Sequence, residues 1–158
     1  MSEKNNIKQN VNNNIIDIFK FNDKVIKFFK ETKNENYSLF VDGVTPHVNY
    51  LLTYGTYINN KDNFVYYIAP NQYKAHLAYD AFCTLAGYEN VNLYIDDEQI
   101  AIEAVATSSE LKHERLNCIK SIYENNPKII VTHIAAFLKP ILSVNELKKG
   151  IINFTVGK

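Results

Sequence analysis

The sequence predicts an α/β lobe of three layers, with a mainly parallel sheet of about five strands between helices. Two observations predict it. Short, nearly continuous apolar runs rich in β-branched and aromatic residues recur along the chain, as in strands buried on both faces. Segments with helical periodicity and recognisable caps lie between them, and such alternation argues parallel pairing through right-handed crossovers. The length, 158 residues, is one domain's worth of core.

Residues 1–13 are polar, Asn-rich and without periodicity, and read as a disordered leader to a lobe spanning 14–150. Ile15, Ile16, Ile18 and Phe19 open a short apolar helix. Asn22 or Asp23 caps a second, carrying Val25, Ile26, Phe28 and Phe29. Tyr37–Val41 reads as the first strand, ending at Asp42-Gly43. Thr45 then caps a helix with Pro46 at its first position, running through Tyr50, Leu51, Leu52 and Tyr54. Phe64–Ala69 is the second strand. Asn71 caps the helix that follows, with Leu77, Ala78, Ala81, Phe82 and Leu85 on one face and Gly87 as its stop.

Val91–Ile95 is the third strand. An acidic and then alanine-rich connection leads to Thr107 and Glu110, which have the spacing of a capping box. Their helix carries Leu111, Leu116, Cys118, Ile119, Ile122 and Tyr123 and ends at Asn125-Asn126-Pro127. Lys128–His133 is the fourth strand, and Ile134–Leu138 a short helix stopped before Pro140. Ile151–Val156, within 151–158, alternates and reads as an edge or exit strand.

Composition narrows function only by exclusion. Lys and Arg number 17 and so do Asp and Glu, a balance that argues against a dedicated polyanion binder. No apolar run approaches the ~20 residues that span a bilayer, and the first ten residues lack a secretory apolar region. Cys83 and Cys118 are too few for a disulfide framework, which suggests a reduced, cytoplasmic protein. Asn fills 21 positions, but interleaved with strongly apolar segments, as coding bias in an AT-rich genome would produce.

Ligands of such sheets sit at the carboxyl ends of the strands. After the first predicted strand a phosphate loop, G-x-x-x-x-G-K-[ST], is expected. Gly43 supplies its first glycine, but Val48 holds the second glycine position, Asn49 the lysine and Tyr50 the Ser/Thr position. Val48 adds a Cβ where backbone must approach phosphate. Pro46 deletes an amide donor. Asn49 brings no cation, and Tyr50 is a poor magnesium ligand. The turn therefore reads as a degenerate loop that binds no cofactor.

His47, His76, His113 and His133 lack metal-site spacing. His76 and His113 take exposed helix positions, while His133 follows a strand and is placed to line a cleft. Asp96, Asp97, Glu98 and Glu103 form a solvated acidic loop that does not match a phospho-acceptor pattern. Cys118 sits mid-helix without an activating partner. Glu110, Lys112 and Arg115 form the mixed-charge part of the 108–126 helix and are its candidate partner-binding residues. A small enzyme acting on a nucleotide or phosphorylated ligand would use the carboxyl edge: Gly43, Asn71, Asp96 and His133.

Three stretches resemble one family. Ala69-Pro-Asn-Gln-Tyr-Lys-Ala-His-Leu-Ala-Tyr-Asp-Ala-Phe82 is similar to the second strand-helix joint in the N-terminal region of transcription-repair coupling factors (Mfd). Ser108-Ser109-Glu110-Leu111 followed by Glu114-Arg115-Leu116 resembles that family's turn into a helix, with Ser109 replacing the usual Pro. Phe154–Lys158 resembles the segment ahead of the UvrA-binding subdomain in Mfd and in its relative UvrB. The resemblance covers roughly residues 37–158. It implies a UvrB-like, helicase-like lobe that has lost nucleotide binding and supports UvrA recruitment in transcription-coupled repair. It also implies that the chain is an amino-terminal fragment. UvrA would dock mainly on a following subdomain. A distant ATP- and Mg-dependent motor would engage DNA and displace RNA polymerase. A UvrB fragment with a decayed loop is the other family reading.

Overall fold

The computed structural model describes residues 22–33, 38–95, 109–141 and 143–150. In chain order the elements are α1 (Asp23–Glu31), α2 (Pro46–Asn59), β1 (Val65–Ala69), α3 (Gln72–Ala86), β2 (Val91–Tyr94), α4 (Ser109–Tyr123), β3 (Ile129–His133), α5 (Ile134–Phe137) and α6 (Val144–Gly150).

Local chemistry sets the helix ends. Asn22 Oδ1 accepts from the Lys24 amide at 2.9 Å, Thr45 Oγ1 from Val48 at 3.4 Å and Asn71 Oδ1 from Lys74 at 2.9 Å, each satisfying an orphan amide. Gly87, at φ 90°, stops α3 and returns its amide to the Cys83 carbonyl. Asn125 takes the left-handed conformation at φ 49°. Its amide meets the Ile122 carbonyl while that of Asn126 meets the Ser121 carbonyl, a Schellman end to α4 with Pro127 just beyond. Ser143 and Glu146 form a capping box for α6, which the sequence reading does not contain. The Glu146 carboxylate accepts from the Ser143 hydroxyl and amide, and these bonds hold its pKa below the ordinary carboxylate value.

The sheet has three parallel strands among the described residues, in the order β1-β3-β2. Val65 pairs with Ile129 and Ala69 with His133, while Val91 also registers with Ile129. All five residues of β3 are buried. Alternation splits them between two cores. Ile129 and Val131 join Val91, Leu93 and Ala69 beneath α2 and α3, around Tyr50, Tyr54, Ala78 and Phe82. Ile130 faces the other way, with Tyr94, Cys118 and Ala136. Phe82 is fully buried, its ring 5.3 Å from Tyr67 and 5.6 Å from Tyr50, in edge-to-face geometry. Leu77, read from the sequence onto the same face, is exposed.

Three of the five predicted strands are present, at Val65–Ala69, Val91–Tyr94 and Ile129–His133. The first is corrected: residues 38–41 form no strand, and Phe40 is 91% exposed. An apolar run becomes a strand only where a ladder accepts it. Both flanks of β3 are taken by β1 and β2, and residues 38–41 pair with neither outer edge of the described sheet. Residues 38–41 lie instead against α1 and the start of α2, where Leu39, Val41, Phe28 and Leu52 help line a cleft of about 510 Å³. The fifth predicted strand, the leader over 1–13, the Ile15–Phe19 helix and Thr107 of the capping box fall outside the described residues.

Phe82→Ala is expected to destabilise the chain by about 3–5 kcal/mol, from lost transfer energy plus the cavity. Urea unfolding measures this, and a loss below about 1 kcal/mol would contradict the assignment of Phe82 to the core centre.

Candidate functional site

The helix start at Gly43–Tyr50 has its own hydrogen-bond economy. Gly43 turns the chain at φ 72°, a conformation natural to glycine. Its amide, the type of donor a phosphate loop aims at its ligand, donates to the Asp42 carboxylate at 2.7 Å. Pro46 has no amide hydrogen. The Val48 amide is taken by Thr45 Oγ1 and the Asn49 amide by the Thr45 carbonyl. An anion arriving here meets a fixed carboxylate and few free donors. Tyr50 points inward and is only 8% exposed, wedged between Tyr67 at 5.7 Å and Phe82 at 5.6 Å. Residues 38–41, just before this turn, form no strand, so among the described residues it is not the strand-to-helix joint that the sequence reading places here.

The carboxyl edge of the sheet does not gather the alternative site. Asn71 spends its side-chain oxygen capping α3. His133 is fully buried at the end of β3, so it does not line an open cleft. Asp96 lies outside the described residues. No cluster of three His, Cys, Asp or Glu side chains able to hold a metal is present among the described residues. No described helix is long and apolar enough to cross a membrane.

On α4, the proposed partner-binding side chain Arg115 is turned toward the sheet. Its guanidinium carbon lies 5.1 Å from the Tyr94 ring centre, and Nη2 donates to the Tyr94 hydroxyl at 3.3 Å. This fastens α4 to β2. Glu110 and Lys112 lie in the same helix, but their side chains are outside the described set. A second fastener runs beside it. Asn92 of β2 donates to Ser121 Oγ at 2.6 Å, and Ser121 donates in turn to the Cys118 carbonyl at 2.8 Å.

Both fasteners hold α4 over β2, which leaves the β1 side of the same sheet face open. The result is an apolar groove of about 390 Å³ between α4, the sheet and α5. Tyr66 and Ile130 form its floor, Cys118 and Ile122 one wall, and Phe137 and Ile141 the other. Tyr66 is 47%, Phe137 49% and Ile141 56% exposed. Burial pushes the Cys118 thiol up to about 12, and burial together with the nearby Cys118 raises the Tyr66 phenol. Neither group is activated toward nucleophilic chemistry. The groove can hold apolar matter, and nothing in its lining resembles a catalytic pair. Sequence reasoning missed it because its walls come from four separate segments. The available signal was Phe64, Tyr66 and Ile68, three large apolar residues on one side of β1.

No family model, curated protein or solved structure matches this chain.

Two measurements test this geometry. A double-mutant cycle of Arg115→Ala with Tyr94→Leu is expected to give a coupling of about 0.5–1.5 kcal/mol. Zero coupling would free Arg115 for an external partner. Cys118 in the folded chain is expected to react with iodoacetamide at about pH 8 at least a hundredfold more slowly than in the urea-unfolded chain, since its thiolate is scarce there. Equal rates would remove the burial argument.

Proposed function

We propose that this chain is a non-catalytic scaffold lobe of the kind that stands at the N-terminus of transcription-repair coupling factors, where it supports UvrA recruitment. The observation that carries the non-catalytic part is Tyr50. The position where a phosphate loop presents a magnesium-binding hydroxyl holds instead an aromatic wedge in the core. Asp42 adds to it by placing a carboxylate on the Gly43 amide. The family part rests on the resemblance of residues 69–82, 108–116 and 154–158. By this reading the protein is cytoplasmic and continues past Lys158 into a UvrA-docking subdomain. ATP, magnesium, DNA and RNA polymerase then belong to domains elsewhere in it. The lobe supplies a rigid platform and does no bond chemistry.

Titration calorimetry with ATP and magnesium is expected to show no saturable binding in the micromolar range. Micromolar affinity that is lost in Gly43→Val would overturn the scaffold reading. A pull-down tests the partner. The chain extended through the following subdomain is expected to retain UvrA, and the 158-residue chain alone is not. Retention by neither overturns the repair role. Retention by the short chain overturns the placement of docking on the following subdomain.

A further inference from the structure

Gly55 stands inside α2 and is buried there, although glycine is a poor residue for a helix interior. An isolated glycine within a helix ordinarily answers to a close approach, and here the approach comes from α1. A Cβ at Gly55 would collide with the tip of the Phe29 ring, at Cζ and Cε1. Gly55 is therefore a notch, and the Phe29 ring sits in it. The rest of α1 is held loosely. None of its residues is buried: Val25, Phe28 and Phe29 are half-buried, and Ile26 is exposed. α2 and α3, by contrast, each bury four residues.

We infer that α1 is a detachable strap: the Phe29 ring in the Gly55 notch holds it on α2, and it lifts as a unit while α2, α3 and the sheet stay folded. Its ends allow this. Asn22 caps it at the start, and at the other end the Thr32 amide closes on the Phe28 carbonyl at 3.0 Å, so α1 is a discrete helix of 9 residues. That is shorter than the ~12–15 residues that keep a lone helix folded in water, so α1 melts when it leaves the lobe. The core does not depend on it. No residue of α1 belongs to either core cluster, and the edge-to-face packing of Tyr50, Tyr67 and Phe82 is complete without it. Lifting has a defined consequence. Phe28 lines both the cleft of about 510 Å³ and a second of about 290 Å³, and the two share Val41, Val44 and Leu52. With α1 away, they become one trough along α2.

The inference stands apart from the scaffold reading, since no nucleotide or UvrA result bears on it. Residue-resolved hydrogen exchange of the full chain tests it. The Phe28, Phe29 and Lys30 amides are expected to exchange about a hundredfold faster than those of Ala78 and Phe82, at rates that low urea leaves unchanged. Equal protection, or a shared urea dependence, would place α1 in the same cooperative unit as the core and overturn the strap. Gly55→Ala is the second arm. It fills the notch while improving α2 as a helix, so the α1 amides are expected to lose protection about tenfold and those of Ala78 and Phe82 not at all. Unchanged protection of α1 overturns the notch, and a parallel loss in α3 overturns the strap. Phe29→Ala removes the ring from the other side and is expected to give the same pattern, with the same two outcomes against it.

Discussion

The central strand β3 is shut off from water on both faces and along both edges, and the rest of the lobe is arranged around that condition. Its five residues are all buried, and its backbone is paired with β1 on one side and β2 on the other. β1 and β2 do not touch each other in the ladder. The crossover through α3 therefore leaves a slot one strand wide, and β3, the last described strand, fills it. Among the described residues neither outer strand has a sheet partner until β3 arrives, across α4 from β2 and across α3, β2 and α4 from β1. Such non-local pairing ties the three strands together, because β1 gains its described ladder partner only when β3, which also pairs with β2, has come into place.

The same strand also explains why the two faces differ. Ile129 and Val131 meet a tight aromatic core under two helices, with Tyr50, Tyr67 and Phe82 stacked edge to face. Ile130 meets a smaller cluster, with Cys118 of α4 and Ala136 of the short α5. Two polar ties run from α4 to β2: Arg115 on Tyr94, and Asn92 to Ser121. A buried hydrogen bond that is satisfied at both ends fixes register as well as adding stability, since slipping it leaves a polar group unpaired. α4 is thus held at the β2 margin and cannot shift toward β1 without breaking both ties. The groove is the geometric remainder of that choice.

Much of this was legible locally. Asn22, Thr45, Asn71 and Gly87 end helices where their chemistry says they should, and three apolar runs became the three strands. These features depend on groups a few residues apart, which is the range a sequence displays. The misreading at residues 38–41 has the opposite cause. Leu39, Phe40 and Val41 have strand composition, but pairing is decided by whether an edge of the sheet is offered to them, and composition does not carry that information. Arg115 shows the same limit. Its helical position marks it as surface, and only the placement of Tyr94 beneath α4 turns it inward. The groove was illegible for the same reason, being formed by side chains that meet only after the crossovers are complete.

The fate of the α2 start decides what the lobe can do. A helix N-terminus beside a glycine turn offers amide hydrogens, and two arrangements can use them. In one, the amides stay free and the Ser/Thr position of the loop, here Tyr50, presents a small hydroxyl to the magnesium that accompanies the phosphate. In the other, side chains of the turn take the amides and the helix commits its inner face to packing. This chain has made the second choice at several independent points: Asp42 on Gly43, Thr45 on Val48, a proline at the first helical position, and Tyr50 in the core. The choices reinforce one another. Drawing Tyr50 out to expose a ligand site would open a cavity against Phe82 and Tyr67, and removing the Asp42 carboxylate alone would still leave the helix without a free cradle. A single substitution therefore does not create a nucleotide site here. The inner face of α2 is thereby committed to the aromatic core it shares with α3 and β1.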